Sequence, residues 1–309
     1  MSDAEMPSHH GPEATVGGEY PNETMRLLFE RGSCRDFQPR KIPPEVLRQV
    51  LEAGTHAPTG GNLQPYSVIK IEDESSRRWF VEQGTQGFLG EAPVILLFCI
   101  DFRRLDRWAE LEVAPFTATS AFRHFWISFQ DTIMFAQNIC TAADAMGLGS
   151  CYIGTALELF QQMREKFELP NRVFPVVLLC MGYPKEKALP RKKLGVEVVV
   201  HDERYRDLDD QALLDAYGEK YMGPRDDRRV EITEKRLETI RRVCAEVHGE
   251  EFAEKCVEKV KENGHFSPVQ RYFGLHYRAD GMPTGNLDFL RLMKEFGFNW
   301  FNEFKPSPR

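Results

Sequence analysis

Arg31-Gly32-Ser33-Cys34-Arg35-Asp36-Phe37 is the stretch on which the reading of this chain turns. Two guanidinium groups flank a hydroxyl, directly after a short run that carries Met25, Leu28 and Phe29. A planar arginine fork takes phosphate oxygens bidentately, and a serine hydroxyl adds a further contact. The same letters also read as an ordinary helix end with Gly32 as its left-handed turn residue. The stretch alone does not choose between the two.

Outward from it, Asn22 stands where an N-cap would start a short helix ending at Arg31. On the other side, Pro43-Pro44-Glu45 opens a second helix with Val46, Leu47, Val50 and Leu51 on one face, and Gly54 is read as its stop. Pro58-Thr59-Gly60-Gly61-Asn62-Leu63-Gln64-Pro65-Tyr66 follows. Its prolines and glycines make a loop with exposed amides, and its Asn and Gln side chains both donate and accept. Such a loop suits the polar edge of a flat heterocycle, although a plain surface turn has the same composition.

Two strands are expected at Tyr66 to Ile71 and Val94 to Ile100, the second a continuous apolar run and hence covered on both faces. The segment from Asp101 to Ser120, with Arg103, Arg104, Arg107 and Trp108, fits either a lid or an inserted helix pair. Phe122, Phe125, Trp126, Phe129, Ile133, Met134, Ile139, Cys140, Ala143 and Met146 decorate one long helix, apolar nearly all round and so expected to be buried. Asp131 and Gln137 within it would need partners. Ser150 to Gly154 reads as a short strand, Ala156 to Phe167 as a helix, and Phe174 to Gly182 as another buried strand. Pro190-Arg191-Lys192-Lys193 is either solvated surface or a further cationic cluster for a phosphate.

Beyond an acidic helix from Asp207 to Tyr221 lies a charge-dense boundary after Gly223. Two amphipathic helices follow, Val230 to Val247 and Glu250 to Glu262. The end of the chain is rich in aromatics, among them Tyr272, Tyr277, Phe289, Phe296, Phe298, Trp300 and Phe304. Such a tail must pack on the main domain, on a partner protomer or on another protein. Residues 1–20, with His9-His10, show no periodicity and read as disordered.

Composition narrows the function classes. A chain of 309 residues with 42% hydrophobic and 28% charged residues is that of a globular protein. A net charge of −7 argues against nucleic acid as a partner, and no apolar run is long enough for a membrane span. The 7 cysteines are scattered without a Cys-x-x-Cys pair, which reads as reduced thiols in a cytoplasmic protein and leaves no metal site. No secretory leader is visible at the start. No Ser-His-Asp or Cys-His set for nucleophilic catalysis stands out.

Four blocks in register now resemble the nitroreductase family of flavin enzymes, over Arg26 to Tyr205. Arg31 to Phe37 is similar to the family's Arg-x-Ser-x-Arg/Lys-x-Phe opening, and Pro58 to Tyr66 to its Pro-Ser-x-x-Asn-x-Gln-Pro-Trp loop. Ala143 to Gly154 resembles its Ala-x-x-x-Gly-Leu-Gly-Ser-x-x-Ile-Gly block, and Gly182-Tyr183-Pro184 with the later basic residues its closing block. The resemblance implies an α+β fold, a mixed central sheet flanked by helices, assembled as an intertwined homodimer with two FMN sites at the interface. The corresponding division is a disordered segment 1–20, an FMN-binding domain 21–222, and a C-terminal helical and aromatic extension 223–309 docked on the dimer.

By the same resemblance Arg31, Gly32, Ser33 and Arg35 hold the flavin phosphate and ribityl chain, and Arg191 and Lys193 close on that phosphate. Pro58, Thr59, Gly60, Asn62 and Gln64, from the other protomer, border the ring, with Ile153 and Gly154 against its other face. Many members place a Lys or Arg near the flavin N1 edge; the corresponding Gln83-Gly84-Thr85-Gln86-Gly87 offers only amides and a hydroxyl, with Gln86 the candidate replacement. The implied activity is hydride transfer from NADH or NADPH through flavin N5 to a small acceptor of nitroaromatic, quinone or enone type. No protein side chain is catalytic in the covalent sense. A reductive dehalogenase or flavin-consuming enzyme on this scaffold, or a non-enzymatic flavin store or redox sensor, is the alternative.

Overall fold

The structure, a computed structural model, describes residues 20–223 and 226–305. The unstructured segment expected over 1–20 and the His9-His10 pair therefore lie outside the described residues, Tyr20 excepted. The chain divides into two compact units. The larger takes residues 19–190 and returns for 287–309; the smaller is formed by residues 191–286.

The larger unit is built on a four-stranded sheet in the order β1-β2-β4-β3, with β1 Tyr66–Ile71, β2 Val94–Asp101, β3 Gly149–Ile153 and β4 Val173–Gly182. All three ladders are antiparallel, and among the described residues the one parallel pairing is an isolated bridge, Ser33 to Ser150. The unbroken apolar run of β2 has its reason in this position. Ile95, Leu97 and Cys99 enter a core on one face of the sheet, and Val94, Leu96 and Phe98 a core on the other. Pro175 of β4, which has no N–H to give to a ladder, sits at the irregularity opposite Cys99.

Helices cover both faces: α1 Glu23–Glu30, α2 Pro44–Thr55, α3 Glu74–Glu82, α4 Phe102–Leu111, α5 Phe122–Ala145 and α6 Phe160–Lys166. Their starts follow from capping chemistry. The Asn22 side chain accepts from the Met25 N–H at 3.0 Å, and the Asp73 carboxylate from the Ser76 N–H at 2.8 Å. The segment after Asp101 resolves into α4 and a 3-10 turn at Ala118–Ser120, and the helix expected from Ala156 begins only at Phe160 after a 3-10 turn.

Two sequence expectations are corrected here. Gly54 does not stop α2, which runs on to Thr55. A Cβ at Gly54 would lie 2.4 Å from Ile139 Cγ1 and 2.8 Å from Phe135 Cε2, so glycine is present because α2 lies directly on α5. Gly54→Ala is expected to cost about 1–3 kcal/mol by overpacking, read as a lower urea midpoint; an unchanged midpoint would mean α2 and α5 separate freely. The second correction concerns α5, which is not buried all round in the single chain. Phe122, Trp126, Phe129, Ile127 and Met134 are exposed, Trp126 at 53%. Leu28 and Phe29 of α1 are exposed as well.

The last residues answer one question the tail raised. In the larger unit Met293, Phe296 and Phe298 are fully buried in the core that holds Phe102, Phe125, Phe160 and Phe174. Phe298 packs 5.5 Å from the Phe125 ring and Trp300 4.5 Å from it. The Arg172 N–H donates to the Phe296 carbonyl at 2.6 Å.

In the smaller unit the elements are α7 Val196–Val199, α8 Asp210–Tyr221, α9 Glu234–His248, α10 Glu250–Asn263 and α11 Pro268–Gln270, with α12 Asn286–Glu295 beginning at its last residue. Helices α9 and α10 form a hairpin around Ile240, Cys244, Ala253, Val260 and Phe266, closed by a Val230–Phe266 bridge. Arg241 ties the hairpin on its outer side through Glu250 and Glu254. No helix among the described residues is long and apolar enough to cross a membrane.

Candidate functional site

Three of the four sequence blocks meet in the larger unit. Ser33 bridges Ser150, and the Cys34 N–H donates to the Ser150 carbonyl at 2.9 Å. Three residues on, Phe37 bridges Pro184, with the Gln38 N–H donating to the Tyr183 carbonyl at 2.8 Å. The Arg31 to Phe37 strip is therefore an extended edge stitched to β3 and to the chain after β4. Gly32 is needed on this strip: a Cβ there would lie 2.7 Å from the Leu189 carbonyl oxygen and 2.8 Å from that of Ala188. The reading of Gly32 as a turn glycine is replaced by one of close backbone approach.

Arg31 reaches back into the protein. Its Nε donates to Asp144 Oδ2 at 3.2 Å on α5, while its Nη2 is buried with no partner. Burial pushes the Asp144 carboxyl above its usual range, and the Arg31 cation opposes that rise. Burial works against the Arg31 charge, but nearby Cys140 and Asp144 outweigh it and hold the guanidinium firmly protonated. Ser33 and Arg35 are exposed on the same edge, and Arg35 Nη1 makes one long bond to the Ser33 carbonyl, 3.4 Å. One arginine is thus anchored with donors to spare, and the other is free to turn outward.

The Pro58 to Tyr66 loop is held at both ends by charges that sequence reasoning did not assign. The buried carboxylate of Asp131 accepts from the Gly60 N–H, at 3.1 and 3.3 Å from its two oxygens, which is the partner expected for an acid inside α5. Burial raises that carboxyl, and the Gly60 amide pulls it back. At the far end Arg104 Nη2 donates to the carbonyls of Gln64 and Tyr66 at 2.7 and 2.6 Å. Within the loop Asn62 and Gln64 take positive φ, 55° and 49°, and just before Gly60 the Thr59 Oγ1 is buried without a partner. Gln137, the other polar residue questioned in α5, simply bonds Thr141.

Gln86 is brought to the third block: the Thr155 hydroxyl donates to its Oε1 at 3.2 Å. Gly154 has open space where a Cβ would stand. Ile153 points its side chain into the core, so only its backbone is offered to a ligand. Arg191 and Lys193 belong to the smaller unit, where Arg191 pairs with Asp226 and Lys193 is exposed. Among the described residues no group of His, Cys, Asp and Glu could hold a metal ion.

The donor set suits a phosphorylated flat heterocycle. Two buried polar atoms, Arg31 Nη2 and Thr59 Oγ1, lack partners in the protein, and both belong to blocks that the sequence assigned to such a ligand. Buried donors of this kind cost free energy unless a ligand or water meets them.

The model of the nitroreductase family matches residues 28–183, and the chain belongs to that family. It is 31% identical to an FMN reductase [NAD(P)H] of Bacillus subtilis, over 66% of this chain and 84% of that protein. It is 30% identical to an oxygen-insensitive NADPH nitroreductase of Salmonella typhimurium, over 64% of this chain and 80% of the other. A solved structure from Bacteroides fragilis superposes with a TM-score of 0.73 at 26% identity, covering 89% of this chain and 99% of that one.

Proposed function

We propose that this chain is an FMN-dependent oxidoreductase that takes hydride from NADH or NADPH and works as a homodimer. The observation that carries the reading is Arg31, the first residue of the Arg31 to Phe37 strip, with its Nε spent on Asp144 and its Nη2 buried without a partner. Its relatives' names, an FMN reductase and an NADPH nitroreductase, support the cofactor and the donor.

Bound FMN would supply hydride acceptance at N5 and onward reduction of a small acceptor of nitroaromatic, quinone or enone type. The chain's own residues bind and orient. Arg31, Ser33 and Arg35 hold the phosphate and ribityl chain through charge-assisted bonds. Thr59, Gly60 and Asn62, pre-set by Asp131 and Arg104, present the polar edge of their loop to the ring. Gln86, with Oε1 occupied by Thr155, keeps its amide hydrogens for an acceptor atom on the flavin edge. Gly154 lets the ring approach the backbone. Arg191 and Lys193 enter as further phosphate ligands from the sequence resemblance. The seven free cysteines support work in a reducing compartment, the cytoplasm.

The purified protein is expected to be yellow and to release FMN, one per protomer, on acid treatment. Addition of NADH or NADPH under anaerobic conditions should bleach it. Release of FAD, or a colourless protein that FMN does not reconstitute, would rule the reading out.

A further inference from the structure

We propose that the cavity lined by the residues before α2, the start of α3 and the entry to β2 binds a small organic phosphate. Its lining shares no residue with the flavin blocks, so the proposal stands independently of the flavin reading.

The cavity measures about 470 Å³, and the charged residues around it all belong to the larger unit: Arg40, Lys41, Glu72, Glu74, Arg77 and Glu91. Three cations against three acids would cancel, but the acids are mostly committed elsewhere. Glu72 pairs with Lys70, and Glu74 with Arg78 at 2.6 Å; neither of those cations lines the cavity. Among the described residues no carboxylate pairs with Arg40, Lys41 or Arg77. Three cations without a carboxylate therefore stand against one acid outside any ion pair, Glu91.

Two of the three cations are held as preformed forks. The Arg40 guanidinium lies over the Tyr183 ring, its Cζ 3.9 Å from the centroid, which fixes its plane and leaves its N–H groups for a ligand. Arg77, half-buried on α3, gives Nη1 to the carbonyls of Gly90 and Ala92 at 2.9 and 2.8 Å. The Nε–Nη2 edge is left over, and Nε is buried without a partner. On that edge a guanidinium can take two phosphate oxygens at once. A water could meet one N–H, but it would not account for three uncompensated cations around one hollow. The size argues against a lone ion as well, since cavities of about 300–1,000 Å³ hold drug-sized molecules. Pro39 and Pro93 supply apolar wall for the organic part, while the cations take the dianion.

The test is calorimetric titration of the full chain, saturated with FMN, with butyl phosphate, inorganic phosphate and succinate in parallel. Butyl phosphate should bind saturably, one per chain, and about tenfold tighter than inorganic phosphate, the worth of roughly two buried methylene groups. Arg40→Ala and Lys41→Ala, both at exposed positions that the fold does not depend on, should each weaken it about tenfold. Arg77→Lys, which keeps the charge and loses the fork, should weaken it similarly, and Glu91→Gln should tighten it. Unchanged affinity in Arg40→Ala and Lys41→Ala overturns the proposal. So do the absence of saturable binding, equal affinity for succinate, or no preference over inorganic phosphate. Affinity that falls as FMN is raised would place the anion at the flavin phosphate instead, and would overturn it too.

Discussion

Arg31→Ala is expected to weaken FMN by about 1–3 kcal/mol, about 5- to 150-fold in Kd, and to leave riboflavin nearly unaffected. The size follows from a charge-assisted contact made by a buried nitrogen with no competing partner. The same substitution also has a structural consequence, because it strands the Asp144 carboxylate that Nε now bonds. The two effects separate through Asp144→Asn, which keeps Arg31 and removes the buried acid. That variant should bind FMN within a fewfold of the parent, whereas Arg31→Ala/Asp144→Asn should recover stability without recovering FMN. The pH dependence carries the same signature. Burial raises the Asp144 carboxyl from its ordinary 3.8, so its ionisation opposes folding. A raised folded value means that stability is fully present below the ordinary value and falls as pH rises through the raised one. Without Arg31 to oppose the rise, the fall should be steeper than in the parent and absent in the double variant. Urea midpoints of the apo-protein between pH 4 and pH 8, a range of about four units spanning the carboxyl's titration, check this. A pH-independent deficit in Arg31→Ala would mean that Asp144 is not the group stranded.

Much of this site could be read from the chain because its parts are local. Arg31, Ser33 and Arg35 alternate on one extended edge, and the loop from Pro58 to Tyr66 carries its turn chemistry within nine residues. The strands were equally legible, since an unbroken apolar run such as Val94 to Ile100 of β2 has few places to go other than the middle of a sheet. The anchors were not legible, for a physical reason. Asp144 lies 113 residues from Arg31 and Asp131 lies 71 from Gly60, and each is an isolated acid in an apolar helix whose partner is fixed only by tertiary packing. Periodicity marks such a residue as an exception without naming what satisfies it. Gly54 misled because a glycine near a helix end has two causes, a left-handed cap or a close helix crossing, and only the neighbour's position decides. Gly32 misled in the same way. Phe296 and Phe298 signalled burial by type alone, while the surface they would cover was a property of the finished core.

Trp126→Asp is expected to turn a dimer into monomers and to strip the flavin with it. Helix α5 leaves Phe122, Trp126, Ile127, Phe129 and Met134 exposed in the single chain, with Phe122, Trp126 and Phe129 forming a chain of ring contacts at 5.9 and 6.2 Å. Scattered single apolar residues on a surface need no explanation, but a contiguous aromatic stripe on the longest helix does. Covering roughly 100 Å² on Trp126 alone would contribute about 2.5 kcal/mol at about 25 cal/mol per Å², and the stripe as a whole several times that. A carboxylate at its centre would lose that burial and would have to be desolvated without a partner, which costs several kcal/mol more. Ile127, exposed on the same helix, lies against Gly60, where a Cβ would sit 3.3 Å from its Cγ2, while the buried Asp131 holds the Gly60 N–H, so the exposed apolar residues reach the anchored flavin loop. Dimerisation and flavin binding are therefore expected to fail together in Trp126→Asp, seen as a halved mass in light scattering and a colourless protein. Leu111→Asp supplies the control, since Leu111 is 76% exposed at the end of α4 and should tolerate the charge. A dimer that keeps its FMN in Trp126→Asp would separate the stripe from the interface, and would leave the aromatic face of α5 without a reason.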